Sequence, residues 1–247
     1  MLAALLELAP SGVEQVDGED FVEYALYGAP GELPELPKGE AEVGGVLVAV
    51  RGEEVAEDWA ERWKLFHEPV LVGDRIWVRP PWAERREGAT DLIIDPGQAF
   101  GTGAHPTTKL SLELMLGLEA AGSFADLGCG SGVLAIAAAQ LGFAPVVAVD
   151  NELAALEATR ANATANGVAL SSVERVDLRD QPPPQAGTVA ANLTRPLLLR
   201  LASRVDADAV ILSGLLEEEV DEVVAAFAPL REGRRLAEGG WAAILLL

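Results

Sequence analysis

From residue 124 onward, short apolar runs alternate with longer segments whose apolar positions recur at helical spacing. The runs at 124–127, 146–149, about 172–176, 189–191 and 209–212 are bounded by turn residues, which predicts strands buried on both faces. The segments at 133–141, 151–166, 196–205 and 217–227 read as helices, with Gly167 as the stop of the second. Strand and helix in regular succession predict a parallel sheet covered by helices on both faces, and residues 241–247 add a last apolar strand. The expected class is α/β, a Rossmann-like doubly wound sheet.

Earlier in the chain the pattern is different. Residues 1–8 read as one or two helical turns stopped by Pro10 and Gly12, and 13–16 and 21–27 alternate like two strands joined through Asp17-Gly18. Residues 28–45, rich in Pro, Gly and Glu, read as a loop or a degenerate helix, and 46–50 as a further strand. This predicts a small α+β unit over residues 1–52. Between 53 and 66, Trp59, Trp63 and Phe66 recur at spacings of four and three, so they share one face of an amphipathic helix. It reads as a linker helix docked on a neighbouring domain; an ordinary surface helix of one continuous domain is the alternative. Residues 67–247 form the larger domain, entered through a hairpin, 70–72 and 76–78, about Gly73-Asp74.

Charge narrows the partners. With 18 basic and 39 acidic residues the net charge is −21, which argues against a grip on nucleic-acid phosphates and favours a basic macromolecular partner. Acidity that merely keeps the protein soluble is the plainer explanation. Residues 1–50 hold ten acids against Lys38, a net of −9. The single Cys129 can form no internal disulfide, and one cysteine with two histidines argues against a structural zinc site, so no metal is expected. The first residues lack a basic segment before their apolar run, and no stretch reaches the ~20 apolar residues of a membrane span. The expectations are a cytoplasmic protein, a monomer, and no membrane contact.

Chemistry concentrates in two stretches. Asp126-Leu127-Gly128-Cys129-Gly130-Ser131-Gly132 joins the first strand of the sheet to its helix through glycines on alternate residues, the setting in which a nucleotide-like ligand meets backbone N–H groups. A dinucleotide fingerprint would need glycine where Val133 stands, a P-loop would need a Lys after the glycines, and Ser131 lacks the spacer of a nucleophile elbow. Asp150 ends the second strand, 22 residues after Gly128, where an acid can accept both ribose hydroxyls; capping the next helix is its plainer role. Asn192 ends the fourth strand, which neighbours the first across the reversal of strand order, and otherwise reads as a turn residue. The second stretch, 95–108, carries three glycines, two prolines and three threonines, too polar and bent for core. Thr107 and Thr108 there either cap the helix that follows or face a ligand, and Phe100 either anchors the loop or covers a ligand ring.

The run D-P-G-Q-A-F-G-T-G-A-H-P-T-T at 95–108, followed by D-L-G-C-G-S-G at 126–132, closely resembles the PrmA family, methyltransferases of the large-subunit ribosomal protein L11. The glycine spacing alone resembles motif I of all class I S-adenosylmethionine-dependent methyltransferases; the 95–108 run is far more specific. The resemblance implies a small substrate-recognition domain, a linker helix and a class I methyltransferase domain. It implies that Phe100, Thr107, Thr108, Asp126, Gly128, Gly130, Asp150 and Asn192 hold S-adenosylmethionine. The expected reaction is methyl transfer to lysine or N-terminal amines of L11, with Asn192 orienting the amine and His105 either structuring its loop or relaying a proton. A small-molecule or other protein substrate, and cofactor binding without turnover, remain the alternatives.

Overall fold

In the computed structural model the described residues are 13–17, 22–26, 39–43, 46–50, 67–96 and 105–247. The chain divides into two compact units, Met1–Ala60 and Glu61–Leu247. In the first, β1 (Val13–Asp17) and β2 (Val22–Leu26) form an antiparallel pair, and β3 (Gly39–Val43) pairs antiparallel with β4 (Val46–Val50). The strand at 39–43 corrects the expectation of a loop or degenerate helix through 28–45. Its sequence, G-E-A-E-V, has too little apolar alternation to signal a strand, and its hairpin partner supplies what its own propensity does not. The helical turns expected at 1–8 and the helix expected at 53–66 lie outside the described residues.

The second unit opens with β5 (Val70–Val72), β6 (Ile76–Arg79) and β7 (Thr90–Ile93), β6 pairing antiparallel with β5 and parallel with β7. Gly73 and Asp74, both at φ 54°, make the tight turn of the hairpin. Then come α1 (Pro106–Met115), β8 (Phe124–Leu127), α2 (Val133–Leu141), β9 (Val146–Asp150), α3 (Leu153–Ala165), β10 (Ser172–Arg175), β11 (Thr188–Asn192), α4 (Arg195–Leu201), β12 (Ala209–Leu216), a 3-10 turn (Glu217–Glu219), α5 (Val220–Ala226), β13 (Glu232–Glu238) and β14 (Trp241–Leu246). The sheet runs in the order β10-β9-β8-β11-β12-β14-β13. Its first five members are parallel; β14 is antiparallel to both β12 and β13. Strand order therefore reverses between β8 and β11, the crevice where doubly wound sheets bind ligands.

Both faces of this sheet are core, which explains the uninterrupted apolar strands. Alternate residues feed opposite sides. Phe124, Ala190, Ile211 and Ala243 join a cluster with Leu112, Met115, Ile136, Leu156 and the β5–β7 residues Val72, Ile76 and Leu92. Ala125, Val189, Val210 and Ile244 join Leu198, Leu201, Val223 and Phe227 on the other face.

Several boundaries moved. The helix expected over 196–205 ends at Leu201, and the one over 217–227 begins as the 3-10 turn. β13 had no counterpart in the apolar pattern. It is the exposed edge strand, E-G-R-R-L-A-E, whose charges discourage edge-to-edge pairing with another chain.

One ion pair bears on how β7 is held. The Arg79 guanidinium forks onto Asp91, Nε to Oδ1 at 2.7 Å and the second nitrogen to Oδ2 at 2.8 Å, across the β6–β7 register. The two side chains are only 11% and 14% exposed, so removing one partner leaves a poorly solvated charge. Asp91→Ala is expected to lower unfolding free energy by about 2 kcal/mol in urea titration, more than an exposed pair would contribute.

Candidate functional site

The glycine turn between β8 and α2 is tied to the end of β9. Val149 O accepts from Gly128 N at 2.8 Å and Cys129 N at 3.0 Å, and the Asp150 carboxylate accepts from Gly130 N at 3.0 Å. Cys129 O takes Gly132 N at 2.7 Å. This path needs left-handed backbone at Gly128, Gly130 and Gly132, with φ of 78°, 52° and 81°. Space is short too: a Cβ on Gly128 would stand 2.4 Å from Leu193 Cδ2. Gly128, Cys129 and Gly130 direct their N–H groups to acceptors within the protein.

Asp150 works on two sides. Its Oδ2 holds Gly130 N, while Oδ1 accepts from Glu152 N at 3.0 Å just ahead of α3, so the helix-start role and the turn-facing role coexist. Each oxygen keeps acceptor capacity for hydroxyl donors.

Asp126 lies beneath the turn. It is 1% exposed, and its Oδ2 accepts from Ala135 N at 3.0 Å. Gly132, at the helix N-cap, has no side chain to offer, so Asp126 caps α2 from the strand. Burial pushes its carboxyl up to about 7; the Ala135 N–H opposes the rise and the Asp150 carboxylate adds to it. Burial likewise pushes the Cys129 thiol up to about 12, and the Thr159 hydroxyl donates to its sulfur at 3.2 Å. Cys129 is a packed thiol, not a nucleophile.

Across the reversal, Asn192 ends β11 beside the turn, its neighbour Ala191 in register with Leu127. Asn192 Nδ2 donates to Thr107 Oγ1 at 3.2 Å and Thr108 Oγ1 at 3.4 Å. His105 is the N-cap of α1: its Nδ1 accepts from Thr107 N at 3.3 Å and lies 2.8 Å from Thr107 Oγ1. Of the two roles open to Thr107 and Thr108, capping is taken by His105. An accepting Nδ1 carries no proton, so the Thr107 hydroxyl donates into it and receives from Asn192. The chain of donors runs from Asn192 through Thr107 to His105. Burial lowers the His105 pKa, which favours the neutral ring. The ring meets Trp241 edge-on at 5.1 Å, and Ser111 and Ser213 both donate to Thr107 O, at 2.8 and 3.1 Å.

Of the residues singled out in the sequence, Gly128, Gly130 and Asp150 thus meet at one wall of the crevice, and Thr107, Thr108 and Asn192 at the other. Phe100 lies outside the described residues. The sequence reading passed over Thr159 and the carboxamides of α3. Their signal was present: Thr159 and Asn162 are polar residues on the buried stripe of that helix, with Ala155, Leu156 and Ala163. The donor set fits an adenosyl sulfonium: the Asp150 carboxylate offers acceptors for ribose hydroxyls and negative charge opposite a cation.

The family model described as "Ribosomal protein L11 methyltransferase (PrmA)" matches residues 38–246. The ribosomal protein L11 methyltransferase of Pseudomonas syringae pv. tomato is 40% identical over 179 residues, covering 70% of this chain and 61% of that protein. Its counterpart in Pseudomonas aeruginosa is 41% identical over 193 residues, 75% of this chain and 66% of the other. The chain thus spans somewhat under two thirds of the length of these curated relatives. Among solved structures, the ribosomal protein L11 methylase of Lactobacillus delbrueckii subsp. bulgaricus aligns with TM-score 0.65 and 26% identity, over 73% of this chain and 98% of its own. The tRNA (uracil-54, C5)-methyltransferase of Pyrococcus abyssi, in complex with S-adenosyl-L-homocysteine, shares the fold alone: TM-score 0.53, 19% identity, 69% of this chain and 45% of that one. The sheet is that of the class I methyltransferases.

Asp126 makes the site pH-sensitive in stability. Its folded pKa is raised, so its contribution is fully present below the unfolded value near 4 and is lost as pH rises through about 7. Asp126→Asn, the isostere of the protonated acid, is expected to gain about 2–4 kcal/mol on the wild type between pH 4 and pH 8 in urea unfolding. A constant difference over that range would mean that Asp126 is not held protonated.

Proposed function

The chain belongs to the ribosomal protein L11 methyltransferase (PrmA) family, and from that premise we propose that it transfers methyl groups from S-adenosylmethionine to amino groups of L11, on lysine side chains, the N-terminal α-amine or both. The observation that carries the amine-directed reading is the setting of Asn192. With Nδ2 committed to Thr107 and Thr108, its Oδ1 is the end of the carboxamide able to accept a hydrogen bond from an attacking amine.

When bound, S-adenosylmethionine supplies a methyl already activated by the sulfonium charge, so the protein's task is alignment and desolvation. Asp150 would accept from the ribose hydroxyls, and Gly130 would let the ligand approach the turn, while Gly128, packed against Leu193, serves the path of the turn itself. Asp126 supports the turn from below, and the family resemblance assigns Phe100, outside the described residues, to the same ligand. Thr107 and Thr108 act through Asn192, fixing which end of the carboxamide faces the crevice. The amine arrives largely as ammonium, since free lysine has a pKa of ~10.4, and a partly apolar crevice lowers that value. Asn192 Oδ1 then holds one N–H of the neutral amine and aims the lone pair at the methyl carbon. A carboxamide does this without the charge that would stabilise the ammonium.

Residues 1–52 serve as the recognition unit and 53–66 as the linker to the catalytic domain, 67–247. The acidic first unit attracts a basic ribosomal protein by long-range steering. No helix among the described residues is long and apolar enough to cross a membrane. A cytoplasmic enzyme with no nucleic-acid grip, acting as a monomer, is the setting this reading gives it.

The deciding assay is mass spectrometry on undermethylated L11 beside a panel of small amines. The expected outcome is mass gains in methyl units on L11, abolished in Gly128→Arg. Gains confined to the small amines would remove the L11 assignment, and cofactor binding without any gain would remove the enzyme. Asn192→Ala is expected to lower kcat by about 10²-fold at saturating cofactor; full turnover would exclude the orienting role. Methylation rate at low substrate is expected to fall as salt rises from 50 to 500 mM, on the order of tenfold, and insensitivity to salt would exclude steering.

A further inference from the structure

Among the described residues, strand β7 has one strand neighbour, β6. On its other side three carboxamides stand in for the missing one. Gln140 Nε2, from α2, donates to Asp91 O at 3.3 Å. Asn166, at the C-cap of α3, accepts from Ile93 N at 2.8 Å through Oδ1 and donates to Ile93 O at 2.6 Å through Nδ2, the pair of bonds that an adjacent strand would make. Asn162, within α3, accepts from Asp95 N at 3.0 Å. The residues served are 91, 93 and 95, alternate positions along one edge.

Asn162 differs from the other two in what its second end does. Its Nδ2 donates to Ser131 O in the glycine turn at 2.9 Å, so one carboxamide, 3% exposed, holds the turn and the end of β7 together over sequence separations of 31 and 67. Asn166 reinforces it by donating to Asn162 O at 2.8 Å.

We propose that Asn162 is a positioning residue that locks the glycine turn at Ser131 to Asp95, just beyond the end of β7, so that the cofactor-binding wall and residues 93–95 keep one relative geometry. This rests on the reading of that turn as the S-adenosylmethionine site. A buried carboxamide suits the task because its donor and acceptor are fixed 120° apart on one rigid plane, and leaving either partner unpaired carries the full cost of a buried polar group. Asn162 touches no substrate in this scheme; it acts through Ser131 and Asp95.

Two variants separate its two ends. Asn162→Asp keeps an acceptor for Asp95 N but sets a carboxylate oxygen against Ser131 O, whereas Asn162→Ala removes both bonds. Asn166→Ala, which frees Ile93 without touching the turn, is the control. The readouts are hydrogen exchange of the ligand-free proteins over 91–96 and 128–135, and calorimetric titration with S-adenosylhomocysteine. Asn162→Ala is expected to lose protection in both segments together, and Asn162→Asp chiefly in 128–135. Both are expected to weaken the ligand about tenfold, with Asn166→Ala weakening it less than about twofold. Loosening of only one segment in Asn162→Ala, or a loss of affinity that follows thermal stability equally in all three variants, would overturn the proposal. If Asn162→Ala does not fold, the isosteric Asp variant decides it by the same exchange pattern. A wild type that binds no S-adenosylhomocysteine would refute the cofactor reading, while the exchange data would still accept or reject the lock.

Discussion

Three successive amides, Gly128, Cys129 and Gly130, converge on the carboxyl end of β9, two on Val149 O and one on the Asp150 carboxylate. Everything at the candidate site follows from that convergence. It can form only where the backbone turns left-handed, hence the alternate glycines, and it fixes α2 at the angle at which Asp126 reaches Ala135 N. It also decides what the turn can bind. Amides already spent on Val149 and Asp150 have little left for a phosphate, whereas the carboxylate that organises them still faces hydroxyl donors and favours a cation. The same interaction that shapes the turn therefore leaves the Asp150 carboxylate oxygens as acceptors for a ligand.

The opposite wall is arranged by a second polar chain, Asn192 to Thr107 to His105. Thr107 and Thr108 are each 1% exposed, so their hydroxyls need partners; both meet Asn192 Nδ2, and Thr107 also meets His105 Nδ1. The two walls adjoin because β8 and β11 are parallel neighbours at the reversal of strand order, and Leu193 fills the space above Gly128. Buried polar groups here serve geometry more than stability; Asp126, held near 7 by burial, is destabilising once ionised.

Much of this was legible in the sequence because the doubly wound sheet buries both faces of its central strands, and such strands announce themselves as apolar runs between turn residues. The helix over 133–141 and the roles of Gly128 and Gly130 in a tight strand-to-helix turn came from the same pattern. What stayed hidden has physical reasons. β13 is an exposed edge, and β3 is half of a hairpin with two glutamates in five residues, so neither has an apolar period to detect. The histidine cap at His105 depends on tertiary placement beside Trp241. The carboxamides along β7 take the place of a second strand neighbour among the described residues, and nothing in local propensity marks a helix residue as the hydrogen-bond partner of a strand edge. The resemblance to the family, as read from the sequence, rests on the 95–108 run more than on the glycine turn, since alternate glycines after a strand serve many ligands.

The central claim is that the wall formed by the glycine turn and Asp150 holds an adenosyl sulfonium and not a dinucleotide. Calorimetric titration of the protein with S-adenosylmethionine and with NAD, repeated on Asp150→Ala, tests it directly. One S-adenosylmethionine per chain, weakened about 10- to 100-fold by the substitution, with no heat from NAD, is the result this account requires. Binding of NAD at the same site, or S-adenosylmethionine affinity unchanged without the Asp150 carboxylate, would contradict it.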